Sequence, residues 1–117
     1  MEAAARGAAG VGGDVIGVLP WVDPDDANPY CTQVVATGIG HARNLAVVAS
    51  GEAAIAVGGE WGTLSEIAHA RNLGRTVVAL RSWSVSGRDQ MEGGPGIVSA
   101  ETPEEAVTVA LAAIARG

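Results

Sequence analysis

"AAIAVGGEWGTLSEIAHARNLGRTVVAL", residues 53–80, decides the fold. It opens on five apolar residues, Ala53 to Val57, and closes on a second such run, Thr76 to Leu80. Neither run alternates polar with apolar, so each reads as a strand buried on both faces, the pattern of parallel strands covered by helices. Between them Leu64, Ile67, Ala68 and Leu73 recur at helical spacing. The stretch therefore reads as strand, glycine turn, helix, strand, and a helix that carries the chain across makes the two strands parallel.

Working outward, "VIGVL" (Val15 to Leu19) is a third apolar run, and "EAAARGAAG" before it has helical composition. Ile39, Ala42, Ala46 and Ala49 share one helical stripe. From Pro103 to Arg116, helical spacing puts Ala106, Val107, Ala110, Leu111 and Ile114 on one face. The predicted order is helix, strand, irregular stretch, helix, strand, helix, strand, loop, helix: one α/β domain over residues 1–117, without repeat or linker. Two long irregular stretches, Pro20 to Gln33 and Arg81 to Gly96, follow the C-terminal ends of strands, the edge where open α/β sheets bind ligands.

Composition narrows the function. The 117 residues are 48% hydrophobic with no Phe and 3% aromatics, so the core is expected to be small and built from Ala, Val, Ile and Leu. The net charge is −6, with no Lys and seven scattered Arg, which leaves no basic stripe for a nucleic-acid backbone. The lone Cys31 has no partner for an internal disulfide, and a reducing cytoplasm is expected. No apolar stretch reaches the length of a membrane span. His41 and His69 lack metal-ligand spacing, and Asp23, Asp25 and Asp26 read as turn residues, so no metal site is expected.

The chemistry lies in "VGGEWGTLSE", Val57 to Glu66. Gly58, Gly59 and Gly62 let the chain turn sharply and let a ligand approach the backbone. The helix that follows offers free N–H groups and the positive end of its dipole, which favour a phosphate. No Lys follows the last Gly, so this is not a P-loop, and the glycine spacing is not that of the dinucleotide fingerprint. A purely structural use of the same letters is open as well. Thr63-Leu64-Ser65-Glu66 has the form of a capping box, with Thr63 as N-cap and Glu66 reaching back, as does Thr102-Pro103-Glu104-Glu105 at the last helix. Trp61 in the loop reads equally as packing or as a ring to stack on a base.

Residues 56–80 resemble the core of the LONELY GUY-type superfamily, whose hallmark is Pro-Gly-Gly-x-Gly-Thr-x-x-Glu. The chain is most similar to the branch that includes the molybdenum-cofactor carrier proteins and Rossmann-like nucleotide-binding proteins, which has Gly where the hydrolases have Pro, as at Gly58. "GGDVIGVLP", "ANPY", "ATGIGHARN" and "EEAV" resemble it in order and spacing too. The resemblance implies a Rossmann-like parallel sheet flanked by helices. It further implies a nucleotide or molybdenum-cofactor ligand held by Gly58, Gly59, Gly62 and Thr63, with Glu66 and Arg43 beside it, and a homo-oligomer. The alternative it implies is a nucleoside 5′-monophosphate phosphoribohydrolase with Glu66 and Arg43 catalytic. Two departures weaken hydrolysis: Asn44 stands where the hydrolases have Lys, and Glu60 where they have the second Gly, a carboxylate that would repel a phosphate unless it faces solvent or is neutralised, by Arg43 for example. The resemblance also implies that Met1 matches an internal Met of a longer domain, preceded there by a strand, a helix and a strand. On that expectation the 117-residue form is marginally stable.

Overall fold

The computed structural model describes residues 1–85 and 96–116; of the predicted Arg81–Gly96 loop, residues 86–95 lie outside the described residues. The chain divides into two compact units, residues 1–43 and 44–117.

The first unit holds helix α1 (Glu2–Gly10) and strands β1 (Ile16–Leu19) and β2 (Gln33–Ala36), paired in parallel from Ile16 opposite Gln33 to Leu19 opposite Ala36. Two threonines fix this pairing at its ends. Thr32 Oγ1 accepts from the Val15 N–H at 2.8 Å and donates to the Val15 carbonyl at 3.1 Å. Thr37 Oγ1 donates to the Leu19 carbonyl at 2.6 Å. Strand β2 corrects the predicted order, which passed from an irregular stretch directly to a helix. Four residues with alternating exposure, next to a Pro- and Asp-rich segment, give too short a pattern to read. The acidic segment is a turn, as read: Asp23 Oδ1 accepts from the Asp25 N–H at 2.9 Å and caps a 3-10 turn over Pro24–Asp26.

The second unit is a parallel three-stranded sheet in the order β3 (Ala53–Val57), β4 (Thr76–Leu80), β5 (Ile97–Ala100), with helices α2 (Arg43–Ser50, its first residue in the other unit), α3 (Trp61–Asn72) and α4 (Pro103–Arg116). The central position of β4 explains its burial: Val77 and Val78 are both fully covered. Alternation along β4 then separates two cores. Val77 packs with Val48, Ala56, Ile67 and Ala70, and so faces α3; Val78 and Leu80 pack with Ala100, Ala106 and Ala110, and so face α4. Helices α3 and α4 thus cover opposite faces of this sheet. Burial on both faces, expected of every strand, holds only for β4: Ile16 of β1 is 59% exposed and Val57 of β3 is 49% exposed. Strand β5 is a second correction to the predicted order, which has only a loop between the Thr76–Leu80 strand and the last helix.

Two helix faces differ from their sequence stripes. In α4 the buried residues are Ala106 and Ala110, while Val107, Leu111 and Ile114 lie exposed. Small side chains let the helix backbone approach the sheet closely, which turns the larger ones outward. In α2 the buried residues are Asn44 and Val48, and Ala42, Ala46 and Ala49 are exposed. Counting Asn44 as polar rotates the apparent face away from the real one.

Candidate functional site

Gly58 and Gly59 leave β3 with φ of 55° and 92°, in the left-handed region that glycine tolerates. The segment is held at several points. The Gly58 N–H donates to the Leu80 carbonyl at 3.1 Å, and Ser82 Oγ donates to the Gly58 carbonyl at 2.6 Å. The Glu60 carbonyl accepts twice, from Trp83 Nε1 at 2.9 Å and from the Leu64 N–H at 3.1 Å. The end of β4 therefore fixes the loop that leaves β3. Just before Ser82, Arg81 is itself left-handed at φ 50°, a strained conformation for a residue with a Cβ.

Helix α3 starts at Trp61, three residues before the start at Leu64 that an N-cap at Thr63 would give. This corrects the capping-box reading. The N-cap is Glu60, which makes no side-chain capping bond, and Thr63 lies inside the first turn with its side chain folded over the Gly59 α-carbon. The N–H groups of Trp61, Gly62 and Thr63 precede the first intrahelical bond, that of Leu64 to Glu60. At α4 the same letters do cap the helix: Thr102 Oγ1 accepts from the Glu105 N–H at 3.1 Å, while Glu105 Oε2 accepts from the N–H of Glu101, one residue before the Thr102 of the expected box, at 3.1 Å. The two similar motifs thus have different fates, and the glycine turn is what separates them.

Gly58, Gly59, Gly62, Thr63 and Glu66 come together at the β3–α3 junction. Glu66 lies one turn after Gly62 on the same face of α3 and is half-buried. Glu60 is exposed to solvent, the first of the two arrangements open to it. Arg43 falls in the other unit, as the first residue of α2. Its Nε is buried with no hydrogen-bond partner among the described residues.

Three residues were not read as part of this arrangement. Asn44, 2% exposed, donates from Nδ2 to the Gly62 carbonyl at 3.4 Å and ties the start of α2 to the first turn of α3. A polar residue at the start of a helix whose other buried residue is apolar was the available signal. Ser82 is indistinguishable in sequence from its loop neighbour Ser84. Trp83 anchors the loop through its indole N–H and lies against Trp61, with ring centroids 5.0 Å apart and planes tilted by 36°.

A model of the SLOG cluster4 family matches residues 1–107. The chain is 43% identical over 107 residues to an uncharacterized protein of Archaeoglobus fulgidus, covering 92% of this chain and 65% of that protein, so it spans less than two thirds of that relative's length. Among solved structures, the molybdenum cofactor binding protein from the phototrophic bacterium Rippkaea orientalis has a TM-score of 0.82 at 29% identity, over 96% of this chain and 69% of that one. The Moco carrier protein from Chlamydomonas reinhardtii has a TM-score of 0.81 at 29% identity, over 100% of this chain and 72% of that one.

Proposed function

The chain belongs to the SLOG cluster4 family, and from that premise we propose that it binds a phosphate-bearing small molecule of nucleotide or molybdopterin type at the β3–α3 loop. The observation that carries this reading is the uncapped first turn of α3. Three N–H donors and the helix dipole face the same end, and a fixed glycine turn leads into it. A protein that needed only a stable helix start would gain about 1 kcal/mol from a side-chain cap of the kind present at α4. The solved carriers named above bind a molybdenum cofactor, and a terminal phosphate of such a ligand suits these donors. Gly58, Gly59, Gly62 and Thr63 hold the phosphate in this reading, with Glu66 beside the adjoining group. Arg43 neutralises charge in this reading, as the resemblance implies. The protein is then a cytoplasmic carrier, and residues 1–117 act as one domain.

Calorimetry with AMP tests it. Arg43→Ala is expected to weaken binding about tenfold or more, the scale of a lost charge-assisted hydrogen bond, with the melting temperature nearly unchanged. Intact binding together with a large fall in melting temperature would make Arg43 structural. Free adenine released from AMP by the parent protein, and abolished by Glu66→Gln, would replace the carrier with a phosphoribohydrolase.

The reading includes self-association. The exposed stripe of Val107, Leu111 and Ile114 on α4 is 49%, 61% and 37% accessible, an apolar face that a second copy would cover. Sedimentation at micromolar concentration should give a species heavier than the 11.7 kDa chain. A clean monomer sinks the expectation.

A further inference from the structure

The geometry points to Trp61 as a stacking platform for a planar heteroaromatic ring on the same ligand whose phosphate the α3 first turn takes. This rests on the phosphate reading above and adds to it what selects the rest of the molecule.

Trp61 is 74% exposed, although a solvated indole forfeits the burial its large apolar surface would gain. It is nonetheless not loose. Trp83 supports its ring at 5.0 Å, and Trp83 is itself fixed by the hydrogen bond from Nε1 to the Glu60 carbonyl. A ring supported through one neighbour and open elsewhere is a preorganised surface, and ordering it on binding costs little entropy. Its place in the chain gives the second half of the argument. Trp61 is the first residue of α3, so its own N–H belongs to the free donors of the first turn. Platform and anion donors are therefore offered by one residue and its two successors, which matches a ligand carrying a phosphate a short linker away from a flat heterocycle. Adenine and pterin share that chemistry.

The test compares three probes on the intact protein: ribose 5-phosphate, AMP, and a pterin carrying one phosphate on its side chain. The first two differ only in the base. AMP is expected to bind roughly tenfold tighter than ribose 5-phosphate, the scale of one base stacked on an aromatic side chain. In Trp61→Ala the ratio of AMP affinity to ribose 5-phosphate affinity should fall to about one, whatever the variant does to ribose 5-phosphate itself, and Trp61→Phe should keep part of the preference. The pterin phosphate exceeding AMP in its Trp61-dependent gain would identify a pterin as the ring; the reverse order would identify a purine. An AMP preference that survives intact in Trp61→Ala, or that the parent lacks for both rings, overturns the platform. So does a Trp61→Ala variant whose only change is a shift in sedimentation, because the ring then covers protein. Failure of ribose 5-phosphate to bind the parent, with a Trp61-dependent gain for both rings, overturns the phosphate reading and leaves the platform standing.

Discussion

Gly59→Ala is expected to abolish AMP binding and to lower stability by about 1–3 kcal/mol, whereas Gly62→Ala is expected to abolish binding and lower stability not at all. The contrast follows from two glycines in one loop that serve different ends. Gly59 sits at φ 92°, and a Cβ there would run into the Thr63 side chain, so alanine is opposed both by backbone conformation and by space. Gly62 is inside α3, and a Cβ there meets nothing nearer than Asn44 Nδ2 at 4.0 Å. Alanine is the better helix former by roughly 0.5–1 kcal/mol, so the Gly62 variant should melt at the same temperature or slightly higher. Its methyl group would instead stand among the free N–H groups that a phosphate must approach. Calorimetry and thermal unfolding on both variants check this together. Unchanged AMP affinity in Gly62→Ala would make the glycine loop a structural turn and no more.

The second large effect concerns Ile67. It is 3% exposed and packs with Val48, Ala56, Ala70 and Val77, in a core otherwise made of Ala and Val. Ile67 is the one buried Ile or Leu of that set among the described residues, with the partly buried Ala54, Trp83 and Ile97 packed against it. Ile67→Ala should therefore leave a cavity that Ala56 and Ala70 are too short to fill, at a cost of about 2–5 kcal/mol. For a chain of this size that lowers the melting temperature by roughly 10 °C or more. The loss would extend to the site, since Ile67 follows Glu66 directly and holds α3 against β3 and β4. A melting temperature within two or three degrees of the parent would show that this core repacks.

The legible part of the fold was the part with long, uniform patterns. Strands β3 and β4 and helix α4 were visible because each carries five or more residues of one character. Strands β2 and β5 have four residues each and border Pro-, Asp- or Gly-rich segments, so turn signals overwhelmed them. The faces of α2 and α4 were misassigned for a common reason. Sequence periodicity weighs side chains by hydrophobicity, whereas close packing on a sheet here selects Ala106 and Ala110 by size and Asn44 by its hydrogen bond. At the site, the glycines, Thr63 and Glu66 were legible as a group, but not the choice between cap and anion donor. That choice depends on where the helix begins, and Thr63 sits at the same motif position as Thr102 without the same role. Ser82 and Trp83 act across the sheet from another strand end, a relation no local pattern contains.

The pinning of the glycine turn has one more consequence. The carbonyls of Gly58 and Glu60 are both engaged, by Ser82 in the first case and by Trp83 and Leu64 in the second. These bonds set the path of the turn from the far end of β4, so its shape does not wait for a guest. On the proposed reading an anion would meet donors already in position, and little of its binding energy would be spent on ordering the loop.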